Sequence, residues 1–163
     1  MERKINYKLI FSVEILAFLS ISAWAVAMEG PTGGIFGRQG FNVFGINLSA
    51  DFWIFFVMVP LFLLLPLIAK GFKSKLFGIL AAGAFIGTML EDFFWFVINP
   101  HFGLSKFNST YATWLSWIRV GALELPYFYP LAIFAAAVIW FVFIKNSEKV
   151  DKFLMQKGFK IKI

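Results

Sequence analysis

Cysteine is absent from this 163-residue chain, histidine occurs once, and Asp, Glu, Lys and Arg together make only 15% of residues. Without Cys there is no disulfide framework, no thiolate-held zinc, no iron–sulfur cluster and no cysteine nucleophile. A single His likewise excludes the His-rich di-iron chemistry of membrane desaturases. A globular domain carries about 25% charged and about 45–50% apolar residues. Here 60% are hydrophobic, 20% are aromatic and 23 are Phe, and the mean hydropathy is +0.79. The composition predicts a chain whose solvent is the bilayer, and its length suits a single membrane domain over residues 1–163.

A membrane-crossing helix needs about 20 mostly apolar residues, because about 30 Å of hydrocarbon is crossed at about 1.5 Å per residue. Four segments reach that length: 9–28, 52–69, 76–98 and 125–144. The expected fold class is therefore all-α, a polytopic membrane protein with four transmembrane helices in a bundle. Outer loops would cover 29–51 and 99–124, and a basic tail 145–163. Of 15 Lys and Arg residues, all but Arg38, Lys106 and Arg119 fall in the N-terminal stub, the Lys70–Lys75 turn and the tail. Cytoplasmic loops retain such charge, which places both termini in the cytoplasm. The net charge of +6 then belongs to this asymmetry and to anionic inner-leaflet lipids, with no nucleic-acid partner implied. Residues 1–27 also fit a signal peptide, but Glu14 interrupts the apolar stretch, so a retained helix is expected. In the tail, Val150, Phe153 and Leu154 recur at helical spacing between lysines, as in an amphipathic helix on the inner surface or a basic end that enforces topology.

An ionisable group in hydrocarbon is costly unless paired, hydrated or neutralised, and is a site candidate for that reason. Glu14 lies in the first span, Glu91 and Asp92 in the third, and Glu124 where the fourth begins. The second span has none and reads as an apolar wall bent by Pro60 and Pro66. In the third, Gly83, Gly87 and Glu91 repeat every four residues, with Ala84, Thr88 and Asp92 in the adjoining row. Small residues allow close helix approach, so this face should look inward or dimerise as a homo-oligomer through Gly83 and Gly87. Asn99 follows on the same stripe, then Pro100 and His101 where the helix should end. Glu91 is expected about 10 Å below the outer boundary, and Glu14 about 8–10 Å inside the inner one.

The cluster of Glu91, Asp92, Asn99, His101 and Glu124 admits three readings. Carboxylates with imidazole or amide could hold a divalent metal ion, which could activate water or oxygen on a lipid-soluble substrate. Acids with Trp95, Tyr127 and Tyr129 could hold an organic cation or pass protons, with Glu14 taking part. Alternatively the acids only tie helices together, with His101 solvated and Glu124 favouring a helix start, as in an accessory subunit. Arg119 can reach Glu124 or Asp92 and would compete with a metal for them. Of the two loops, the first is Gly-rich through Gly33, Gly34, Gly37, Gly40 and Gly45. Its later half, Phe41-Asn42-Val43 followed by Gly45, Ile46 and Leu48, suggests a short hairpin or an interfacial cap around the Gly37–Gly40 turn, with Arg38 neutralising Glu29 or Asp51, and the loop lacks the strand–loop–helix context of a phosphate cradle. In the second, Tyr111, Trp114 and Trp117 suggest a short helix in the headgroup zone over 109–120.

The run Glu91-Asp92-Phe93-Phe94-Trp95-Phe96-Val97-Ile98-Asn99-Pro100, continued by His101-Phe102-Gly103, resembles a string found in uncharacterised small prokaryotic four-helix membrane proteins. It covers about 13 residues, implies a prokaryotic cell membrane and brings no activity with it. A Glu in the first of four spans also resembles the small multidrug resistance transporters, from which the long loops and the acid pair on the third helix depart.

Overall fold

A computed structural model describes residues 5–29, 41–43, 46–48, 59–113 and 115–159. Its elements are α1 (Tyr7–Glu29), β1 (Phe41–Val43), β2 (Ile46–Leu48), α2 (Val59–Lys70), α3 (Ser74–Ile98), a 3-10 turn (Leu104–Lys106), β3 (Trp117–Val120), β4 (Leu123–Pro126), α4 (Phe128–Ile139) running on as a π-helix through Trp140–Lys145, and α5 (Ser147–Gln156). Among the described residues, three helices are long and apolar enough to cross a membrane: Tyr7–Ala27, Ser74–Ile98 and Phe128–Lys145. The chain is a mostly helical membrane protein on that ground. Residues 52–58 of the expected second span lie outside the described residues, and α2 covers the rest of it.

The three long helices form a layer with α3 in the middle. Glu14 of α1 meets Gly83, Phe18 meets Gly87, and the Ser22 hydroxyl donates to the Glu91 carbonyl at 2.7 Å. The numbering advances in step on both helices, so α1 and α3 are parallel. Against the other flank, Gly78 receives Phe143, and the Tyr129 hydroxyl donates to Asp92 at 2.9 Å, so α4 is antiparallel. Small and polar side chains are buried at these contacts, among them Ser22, Gly83, Ala84, Gly87, Ala132 and Ala136. Large apolar ones such as Leu9, Leu16, Leu65, Ile68 and Phe134 point outward. A soluble domain inverts that arrangement, whereas helices in lipid associate through close backbone approach.

Three helix ends are secured by identifiable contacts. Asn6 Oδ1 accepts the Leu9 N–H at 3.1 Å and caps α1. The tight turn after α2 uses Gly71 at φ +79°, and the free start of α3 is met from the tail, where Asp151 Oδ1 accepts the Ser74 N–H at 3.0 Å. The amphipathic stretch expected in the tail is α5, docked under this end of the layer. At the opposite end α3 stops at Ile98, because Pro100 disfavours helical geometry in the residue before it. Asn99 then takes extended geometry, with its carbonyl receiving the Gly103 N–H at 3.0 Å.

Two expectations are corrected. The stretch 109–120 is not a helix: Trp117–Val120 pairs antiparallel with Leu123–Pro126, with Arg119 opposite Glu124 and Gly121 at φ +62° in the two-residue turn. Trp117, Ile118 and Val120 are aromatic and β-branched residues that favour a strand, and the primed turn after them requires a positive φ that Gly121 supplies. The fourth helix accordingly starts at Phe128 rather than 125, and Glu124 sits in a strand rather than at a helix start. In the first loop, β1 pairs antiparallel with β2, with Val43 opposite Ile46, and the Gly37–Gly40 stretch lies outside the described residues. Arg38, Glu29 and Asp51 are expectations that fall outside the described side chains.

Candidate functional site

The site follows from two stripes with the same spacing. Glu14, Phe18 and Ser22 recur every four residues on α1, and Gly83, Gly87 and Glu91 do so on α3. Residues four apart share a helix face, so parallel helices in this register bring each α1 side chain onto an α3 glycine or carbonyl. A Cβ at Gly83 would stand 2.7 Å from Glu14 Cδ, and one at Gly87 would stand 2.6 Å from Phe18 Cγ. Only glycine leaves room for these two side chains. The Gly83/Gly87 face, expected to look inward or to meet a second copy, packs against Glu14 and Phe18 of α1 in the same chain.

Glu14 is 4% exposed, and neither carboxyl oxygen has a hydrogen-bond partner among the described residues. Phe18 stands directly above it and is fully buried. Above Phe18 come Ser22 and the Glu91 carbonyl. Gly83 precedes Glu91 by eight residues, which separates the level of Glu14 from that of Glu91 by about 12 Å.

At that upper level the side chain of Asp92 and the backbone carbonyl of Glu91 meet different partners of α3. Asp92 turns to α4 and accepts the Tyr129 hydroxyl, while the Glu91 carbonyl binds α1. Both acids lie within electrostatic reach of the Tyr129 phenol. Tyr129 is itself buried, with its ring 6.0 Å from that of Phe107. Phe107 comes from the outer loop and also packs against Phe93, Phe96 and Trp117, with centroids 5.0–5.5 Å apart. An aromatic roof thus closes the layer above the acids.

The other expected site residues separate from this group. Trp95 is buried in the roof, edge-on to Phe96 and beside Phe102. Asn99 is buried, with Oδ1 accepting the His101 N–H at 3.0 Å and Nδ2 without a partner among the described residues. The His101 side chain is exposed, and its carbonyl accepts Lys106 Nζ at 2.7 Å. Tyr127 is exposed on the surface. Glu124 is taken up by the hairpin: Oε2 accepts the Ser109 N–H at 2.8 Å, and Oε1 accepts Arg119 Nε at 3.1 Å and its Nη2. The Ser109 N–H first, and then the Arg119 guanidinium, hold the Glu124 carboxyl down at about 2, below its ordinary 4.5. Arg119 is the competitor for the acid that the sequence offered, and it binds Glu124 rather than Asp92. Among the described residues, no three His, Asp or Glu side chains converge into a group suited to a metal ion.

Phe18 and Phe107 were not singled out from the sequence. Phe18 was detectable, because it continues the Glu14 and Ser22 stripe by the spacing that singled out Gly83 and Gly87. Phe107 carried no local signal, one Phe among 23. Compared with protein-family models, with curated proteins and with solved structures, the chain matches none.

Proposed function

We propose that this chain is a four-span membrane protein with both termini in the cytoplasm, and that it loads a proton or small cation on intramembrane acids and passes it between two levels. Glu14 is the lower station, nearer the lysine-rich end, and Glu91 with Asp92 is the upper one. Positive charge on the stub, the 70–75 turn and the tail supports the orientation. A single observation carries the functional reading: the Glu14 carboxyl is enclosed between α1 and α3 with no donor to either oxygen among the described residues. A bare carboxylate in an apolar interface costs several kcal/mol, so the group persists there only in company with a proton or a cation. Nothing structural calls for an acid at this position, since small residues alone would hold the two helices together.

Phe18 separates the two stations, so passage requires its ring to move or the α1–α3 contact to open. Asp92, accepting the Tyr129 hydroxyl, gives the upper station an acid held in place by a hydrogen bond. The test is flux in liposomes that hold a pH-sensitive dye and carry an imposed potential. Wild-type protein is expected to move protons, Glu14→Gln to abolish the movement, Asp92→Asn to slow it, and Glu124→Gln to leave it unchanged. Full flux in Glu14→Gln overturns the reading. Metal analysis of the same preparations identifies the occupant: stoichiometric metal, lost when Glu91→Gln and Asp92→Asn are combined, would make it a divalent ion rather than a proton.

A further inference from the structure

Beside the layer, α1, α3 and α4 enclose a groove of about 1160 Å³. This exceeds the roughly 300–1,000 Å³ of ordinary small-molecule pockets. Its floor is one stripe of α3, Ile79, Ala82 and Ile86, and its far wall is α4 through Ala136, Ala137 and Trp140. α1 contributes only its first turns, ending at Phe11. The groove begins at Lys75 and ends at Ile86, eleven residues along α3, or about 16 Å. That is half of the roughly 30 Å hydrocarbon thickness, the depth of one leaflet.

The polar groups of the groove gather at its mouth. Lys8 and Lys75 both line it there, with Asn6 and Tyr7 between them. Lys75 Nζ is held 5.1 Å above the Tyr7 ring. Asp151 of the tail, at this end of α3, is turned to the Ser74 N–H. Two cations thus stand at the headgroup level over an apolar channel one leaflet deep.

We propose that this groove binds one anionic phospholipid, its acyl chain along Ile79, Ala82 and Ile86 and its phosphate on Lys8 and Lys75. Charge complementarity and leaflet depth select a lipid over another helix, whose apolar face would leave both ammonium groups uncompensated. The proposal rests on the placement of the three helices in a membrane and is independent of proton movement.

Native mass spectrometry of the full chain in detergent tests it, with phosphatidylglycerol and phosphatidylcholine of identical chains as probes. One phosphatidylglycerol should be retained about tenfold or more over phosphatidylcholine, given the attraction of two basic residues near an anionic headgroup. Lys8→Gln with Lys75→Gln should bring the ratio to one. Ala137→Trp, at an exposed position lining the groove, should remove retention of both lipids without disturbing the helix contacts. Neutralising Lys149, Lys152 and Lys157 in the tail should leave the preference intact, as should Glu14→Gln. Equal retention of the two lipids by wild-type protein, a preference that follows the tail lysines, or retention undiminished by Ala137→Trp overturns the proposal. Loss of proton flux in Glu14→Gln with lipid retention unchanged separates this site from the acids.

Discussion

In the helix interface, Glu14 presses against Gly83 and neither of its oxygens is hydrogen-bonded among the described residues. In the outer hairpin, Glu124 takes the Ser109 N–H at 2.8 Å and the guanidinium of its cross-strand neighbour Arg119. Both acids lie beside or within apolar runs, and by composition they are equivalent candidates. Their surroundings make them opposites. Glu124 has spent its acceptor capacity on tying the 108–112 turns to the hairpin, and a further cation would have to displace Arg119. Glu14 retains its full capacity, in a place where water and donors are scarce. An acid earns attention as a binding group from what its neighbours leave undone, and on that measure the interface outranks the loop.

Phe18→Ala is the largest disturbance expected of the interface. It removes a fully buried ring seated on Gly87, and such truncations cost about 3–5 kcal/mol when the site cannot collapse. Unfolding in mixed micelles would read the loss, and a cost below about 1 kcal/mol would mean that α1 and α3 are not packed through this residue. Gly83→Ala should follow at about 1–3 kcal/mol by overpacking, because its methyl has to push aside the Glu14 carboxyl. Combining it with Glu14→Ala should restore much of that stability, so the pair should be strongly non-additive. Additive costs would break the picture of Glu14 wedged on Gly83.

Much of this layer was legible in the sequence, for identifiable reasons. The end of α3 at Ile98 followed from Asn99-Pro100, and its inward face followed from small residues at a spacing of four. The partner of that face did not follow, since any helix could approach it. Only the matching period of Glu14, Phe18 and Ser22 points to α1. The hairpin is hard to see in the sequence because Trp114 and Trp117 also suit headgroup aromatics, and only Ile118, Val120 and Gly121 favour a strand and turn over that reading. Once the hairpin is recognised, Arg119 and Glu124 become cross-strand partners, Glu124 leaves the acid cluster, and α4 begins later. The aromatic roof rests on pairings between residues far apart in sequence, such as Phe93 with Phe107, which composition cannot rank.

The hairpin gives the smaller tests. At Gly121 nothing lies within 4 Å of an added Cβ, so Gly121→Ala carries only the backbone cost of φ +62°. That is about 1–2 kcal/mol, and it should leave Glu14-dependent flux untouched. Smaller still is the response to acid. The Glu124 carboxyl titrates at about 2 when folded against an ordinary 4.5, so its stabilising effect is complete above 4.5 and disappears as pH falls toward 2. The thermal midpoint should therefore decline as pH falls through that window, and Arg119→Gln should shrink the decline without removing it, because the Ser109 N–H remains. Arg119 is 72% exposed on its side chain, so added salt should weaken its share more than that of Ser109. An acid response unaffected by both Arg119→Gln and Glu124→Gln would assign it to the buried acids instead, and the contrast between loop and interface would have to be redrawn.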